Sequence, residues 1–206
     1  RDLHSFPTRR SSDLFVKTIM QIRQLGMAHI SEDRMKFGIA DNLSIQDNIA
    51  AIYLASDRFR TGPFLKMKEL NKFVDECINK FEVACIDGNE NIKFLSGGNI
   101  QKVIVAREFS GDANFIIANQ PTRGIDVGTA DLIRRLLVKA SREKNCAILL
   151  ISSDLTELTE VSDRILVMKS GQIVAQFEDV KNVSDDTLGE YMLGVRRMTV
   201  AEMGGL

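Results

Sequence analysis

FIIANQPTRGID, Phe115 to Asp126, is the stretch on which the reading of this chain turns. An apolar run from Phe115 to Ala118 meets a polar pair, Asn119 and Gln120, and then a Pro-Thr and Gly-Asp turn. A short unbroken apolar run closed by turn residues is the pattern of a strand buried on both faces. A strand is predicted over Asn114–Ala118. Downstream, Leu132, Ile133, Leu136, Leu137 and Ala140 recur at helical spacing, which predicts a helix over Gly128–Arg142. The strand Ala147–Ile151 follows, and then a short helix from Asp154. Upstream, a helix is predicted over Asn99–Phe109. Apolar strands alternating with amphipathic helices predict a parallel sheet covered on both faces. Ile165–Met168 and Ile173–Phe177, joined at Ser170-Gly171, are expected to form a hairpin at its edge, and a last helix starts at Ser184.

Nearer the N-terminus, Phe15–Leu25 reads as a helix closed by Gly26, and Met27–Ile30 as a brief strand. Ser44, three residues before Asp47, gives a capping-box signal for a helix start. Leu70, Phe73, Val74, Cys77, Ile78 and Phe81 share one helical face, more in keeping with core than with a partner surface. Residues 40–94 therefore read as a mainly helical insert.

The totals bound the possibilities. The chain has 206 residues and a formal net charge of -1, so it can bury a useful core and carries no nucleic-acid footprint. Cys77, Cys85 and Cys146 lie in no metal-ligand spacing and read as small thiols of a reducing compartment. The two histidines have no neighbouring ligand partner. The longest apolar run, Cys146–Ile151, is too short to span a bilayer. Residues 1–14, RDLHSFPTRRSSDL, lack apolar periodicity and resemble a translated adapter or assembly scar, or else a disordered native terminus.

LSGGNIQK, Leu95–Lys102, opens a helix with a Ser-Gly-Gly turn. Free backbone N–H groups and the positive end of the helix dipole suit an anion there. Gly97 and Gly98 permit close approach, and the Ser96 hydroxyl can donate to a phosphate oxygen. Such turns also cap helices that hold no ligand.

With its surroundings, this turn resembles the signature loop of ATP-binding-cassette (ABC) domains. FIIANQPT is similar to the family's Walker B strand and following turn, RGID to its D-loop, and ILLISSD to its switch region. AHISEDR, Ala28–Arg34, resembles the segment after the Q-loop strand. The EDR run, the LSGGN form, PTRGID and Ser153 together are similar to the second cassette of tandem importers for simple sugars and nucleosides. The Ala-x-Gln-Pro-Thr wording and the closing TLGEYMLG lean toward the nucleoside branch. The resemblance implies an α/β fold: a partial, P-loop NTPase-like nucleotide-binding domain with a mainly parallel sheet, flanking helices and a helical subdomain. It divides the chain into a leader (1–14), a Q-loop strand and hinge (15–39), the helical subdomain (40–94), the signature helix and α/β core (95–182), and a C-terminal helix and tail (183–206).

The same resemblance implies ATP and Mg²⁺ as cofactors, with Ser96, Gly97, Gly98, Asn99, Gln101, Asp126 and Glu32 in nucleotide-binding positions. Glu32 stands where many members have Gln. Implied partners are the first cassette of the same protein, transmembrane permease subunits, and indirectly an extracytoplasmic solute-binding protein. No nucleic acid is implied. The expected place is peripheral, on the cytoplasmic face of the bacterial inner or plasma membrane.

Four departures stand out. No G-x-x-x-x-G-K-[ST] occurs in the chain, so no such loop and lysine grip the phosphates, and the chain alone is expected to bind ATP poorly and to leave raw sheet edges. Asn119 stands where the family keeps the Asp that helps hold Mg²⁺. Gln120 stands where it keeps the general base, and Ser153 where it keeps a switch His. An asymmetric pair is the expected arrangement, in which this half serves its partner's nucleotide in trans while its own site is degenerate. The alternatives are a non-hydrolysing regulatory module, a soluble tandem cassette protein of translation or repair, and an interrupted frame.

Overall fold

The computed structural model describes residues 17–204. The leader and the first predicted helical residues, Phe15 and Val16, lie outside them. The first helix, α1, runs Ile19–Gln24; Thr18 caps it reciprocally with Gln21. Strand β1, Met27–Ile30, follows. A single π-helical turn at Arg34–Gly38, capped by Asp33, was not foreshadowed by any pattern in the sequence.

Ser44 and Asp47 form the predicted capping box on α2, Ile45–Ala50. The insert is less uniformly helical than predicted. Thr61-Gly62-Pro63-Phe64 turns the chain in a small hairpin, β2 (Arg60–Thr61) with β3 (Phe64–Leu65), before α3, Met67–Lys80. Two-residue strands carry no alternation, so periodicity could not reveal them. The predicted face of α3 does turn inward: Leu70, Phe73, Val74 and Cys77 are buried, as is Phe81 just beyond it.

Helix α4, Gly97–Phe109, is buried nearly all round, with Ile100, Val103, Ile104, Val105 and Ala106 in the core. A helix apolar on every side belongs in the centre of a domain, and α4 joins the helical layer to the sheet. Strand β4, Phe115–Asn119, lies between β1 and β5 (Ala147–Ile151), and the three run parallel. Between β4 and β5, helix α5 spans Val127–Lys144; it is capped by Asp126 and ends on Asn145 in the left-handed conformation. Helix α6, Leu155–Val161, is capped by Asp154.

The predicted hairpin forms as β6, Ile165–Lys169, and β7, Gln172–Phe177. It is a separate two-stranded sheet rather than the edge of the parallel one, and a different core holds it. Ile165, Val167, Val174, Ala175 and Val180 pack with Leu188 and Tyr191 of α7, Asp185–Leu193. The expectation of a sheet covered on both faces also fails at β5, where Leu149 and Ile151 are 46% and 45% exposed.

Candidate functional site

The signature turn and the RGID turn meet face to face. Ser96 Oγ caps α4 by accepting the Asn99 amide N–H at 3.4 Å and the Asn99 side-chain Nδ2 at 3.1 Å. Asn99 Oδ1 accepts the Ala84 N–H at 2.9 Å, tying α4 to the segment after α3. Asp126 caps α5, accepting the Thr129 N–H and the Thr129 hydroxyl, both at 2.9 Å. Those two bonds hold its carboxyl below the usual aspartate range.

The two glycines have packing reasons of their own. A Cβ on Gly98 would lie 2.9 Å from Asp126 Oδ2 and 3.2 Å from Thr129 Oγ1, so only glycine lets the α5 cap approach this closely. A Cβ on Gly97 would lie 3.0 Å from Arg34 Nη2. The Arg34 guanidinium thus stands over the turn, and it donates to the carbonyls of Arg123 at 2.8 Å and Gly124 at 3.1 Å. Arg123 in turn pairs with Glu32. The SEDR segment, the signature turn and the RGID turn therefore form one surface. Arg123 escaped sequence reasoning, and the only signal for it was its charge opposite that of Glu32.

Gln101, expected at the nucleotide, is 2% exposed and donates Nε2 to the Pro121 carbonyl at 2.7 Å. It faces inward along α4 and locks the turn after β4 to the start of that helix. Gln101→Ala should cost about 1–3 kcal/mol, because the Pro121 carbonyl loses its partner in a dry setting. The urea unfolding midpoint reads this directly.

Asn119 and Gln120 sit at the carboxyl end of β4, where ligands bind in open α/β sheets. Gln120 adopts a φ of +51°, and its N–H donates to the Ile151 carbonyl at 2.7 Å. Its Oε1 accepts the Ser153 N–H at 3.4 Å and the Ser153 hydroxyl at 3.3 Å. The Gln120 and Ser153 side chains therefore meet, and the two uncharged groups satisfy one another. Mg²⁺, which prefers charged oxygen ligands, does not fit here. Asn119 offers no charge, and among the described residues no three His, Cys, Asp or Glu side chains group as a metal site. A phosphate does fit the Ser96–Gly98 turn, with free N–H groups at the start of α4 and a guanidinium above it.

Among the described residues no helix is long and apolar enough to cross a membrane. No protein-family model matches the chain. It is 38% identical over 151 residues to a glucose import ATP-binding protein of Haloferax volcanii, covering 72% of this chain and 27% of that protein. It is 35% identical over 175 residues to a nucleoside import ATP-binding protein of Lactococcus lactis, covering 85% and 33%. The chain thus spans about a third of the length of the curated relatives it matches. The solved ATP-binding cassette MJ0796, a dimer bound to ADP and phosphate, superposes with a TM-score of 0.65 at 22% identity, over 82% of this chain and 67% of that one. The chain has the α/β fold of an ATP-binding cassette, and its sequence relatives are ATP-binding proteins of sugar and nucleoside import.

Proposed function

We propose that this chain is part of the second cassette of a tandem importer ATPase for simple sugars or nucleosides, and that it serves its partner's ATP in trans. One observation carries the reading. Ser96, Gly97, Gly98, Arg34 and Asp126 are assembled on one surface, while the carboxyl end of β4 presents only amides. ATP bound to the other cassette would supply the phosphate; Ser96 and the N–H groups of α4 would donate to it, and Asp126 would hold the α5 cap against the turn. Glu32 reaches this surface only through Arg123. The longer alignment to the nucleoside relative, 85% of the chain against 72% for the glucose relative, supports the nucleoside branch. Partners on this reading are the first cassette of the same protein, permease subunits met by residues 40–94, and a solute-binding protein outside the membrane. The place is peripheral, on the cytoplasmic face.

The test is Ser96→Arg in the full-length tandem protein assembled with its permease. ATP turnover should fall roughly tenfold or more, because a donor aimed at developing charge is replaced by a bulky cation. Unchanged turnover would refute the in-trans role. A second reading, a regulatory cassette that dimerises without turnover at any site, draws on Asn119 and Gln120. It requires the Ser96 variant to alter nucleotide-dependent association while leaving hydrolysis as it was.

A further inference from the structure

Asn99 is half-buried in the first turn of α4, and both ends of its side-chain amide are engaged. The Ala84 N–H can only donate, so the amide oxygen faces it, at 2.9 Å. That turns Nδ2 toward Ser96 Oγ, at 3.1 Å, and this nitrogen can only donate as well. The backbone N–H of Asn99 donates to the same oxygen at 3.4 Å. A hydroxyl has one proton and two acceptor positions. Both acceptor positions of Ser96 are therefore filled by one residue, and its proton has no acceptor among the described residues. Ser96 itself is exposed, beside the Arg34 guanidinium that stands over Gly97.

The sense of the amide is set from outside α4. Residues 81–84 follow α3, and Phe81 and Val83 bury their side chains in the main core. Glu82 between them takes a φ of +54°, a region that few residues other than glycine visit. Its carbonyl accepts Lys102 Nζ at 2.9 Å. Positions 99 and 102 lie on one face of α4, so this segment is fixed to the helix at two points. A flipped Asn99 amide would set two donors against each other at Ala84. It would also accept the Ser96 proton and turn the hydroxyl inward.

We infer that Asn99 is a positioning residue for Ser96. By filling both acceptor positions it leaves the hydroxyl only one act, to donate outward, and the Ala84 N–H keeps the amide in the sense that does so. The ligand this suits is a group that only accepts, such as a phosphate oxygen. A free serine hydroxyl must be ordered when its ligand arrives, whereas this one is ordered beforehand, which is the condition under which a donor stabilises developing charge best. Asn99 acts on the phosphate through Ser96, and the end of α3 acts on Asn99. The inference rests on the in-trans reading above, which supplies the phosphate.

The experiment uses the full-length tandem protein assembled with its permease, as wild type, Ser96→Ala, Asn99→Ala, the double variant and Asn99→Asp. ATP turnover is measured, and amide hydrogen exchange at Ala84 is followed without nucleotide. Asn99→Ala should lower turnover roughly tenfold, less than the full cost of a lost donor. In the Ser96→Ala background it should add nothing, because it acts through that hydroxyl. Asn99→Asp keeps an acceptor for Ala84, but its second oxygen takes the Ser96 proton, so turnover should fall at least as far. Exchange at Ala84 should quicken roughly tenfold in Asn99→Ala and stay slow in Asn99→Asp. Three results would overturn the inference: losses that add in the double variant, Asn99→Ala as active as wild type while Ser96→Ala is slow, or Ala84 exchange indifferent to Asn99→Ala. The first would make Asn99 a nucleotide contact or a packing residue in its own right. A silent Ser96→Ala with Ala84 released by Asn99→Ala would remove the in-trans reading, and the phosphate with it, while the tether stood. Additive losses with a slow Ser96→Ala would remove this inference alone.

Discussion

Glu108→Ala should destabilise the chain by about 3–5 kcal/mol, the usual result of removing one partner from a buried ion pair. Few single changes here could cost more. The Glu108 carboxylate has no exposed side-chain surface and accepts four bonds. Arg23 forks onto it at 2.8 and 3.1 Å, Arg107 Nε reaches it at 2.9 Å, and the His29 N–H at 3.2 Å. One side chain thereby holds α1, β1 and α4 together, and it steadies Arg107, whose carbonyl accepts the Tyr53 hydroxyl from the helical layer. Alanine would leave two guanidinium groups and a strand N–H without their acceptor. Against total stabilities of roughly 5–15 kcal/mol, such a loss should be plain in urea unfolding. Glu108→Gln should cost less, since the amide oxygen keeps some of the bonds. Coupling between Glu108→Ala and Arg23→Ala in a double-mutant cycle would show that the pair is the source.

The same residue sets a pH dependence. Burial works to raise the Glu108 carboxyl, but the bonds and charges of Arg23 and Arg107 outweigh it and hold the group below its ordinary value near 4.5. A carboxyl depressed in the folded state contributes stability that is fully present above the unfolded value and is lost as pH falls through the folded one. Unfolding midpoints should therefore be insensitive to this group above about pH 5 and drop below pH 4.5. In Glu108→Gln that acid limb should flatten.

Much of the frame was readable because its causes are local. Ser44, Asp126, Asp154 and Ser184 each cap the helix that follows by accepting a nearby N–H, so cap and helix lie within a few residues of each other. The apolar runs of β4 and β5 likewise declare strands, although β5 is not covered on both faces. The candidate surface was legible as three motifs but not as one object. Arg34 reaches carbonyls about ninety residues away, and nothing in EDR says so. Glu108, in the run AREFS, reads as one more helix charge, and its partner Arg23 lies 85 residues upstream. Gln101 looks like a ligand contact by position and is buried by the rotation of α4. The β6–β7 hairpin was found, but its separation from the sheet depends on what does or does not lie between β5 and β6, which no local pattern records.

Restoring charge at the end of β4 should have the largest effect of all. On the proposed tandem-cassette reading, in a full-length protein whose other site is disabled, Asn119→Asp with Gln120→Glu should raise ATP turnover by roughly 10²- to 10⁴-fold, the range a positioned general base contributes. The geometry favours the exchange. Gln120 and a glutamate have the same shape, and the left-handed backbone at φ +51° is already held by the Ile151 carbonyl. The Ser153 N–H and hydroxyl that now donate to the amide oxygen would donate to a carboxylate with greater strength, because the acceptor is charged. The Asn119→Asp change, at the half-buried last position of β4, would give Mg²⁺ the charged oxygen it lacks. Each single change should recover far less, since a base without the metal, or a metal without the base, leaves half the chemistry missing. Turnover that stays flat in the double variant, with the fold intact by unfolding and metal retained, would show that the silence of this site is set elsewhere in the cassette. Coupled import in the restored protein would show further that hydrolysis at this site can drive transport.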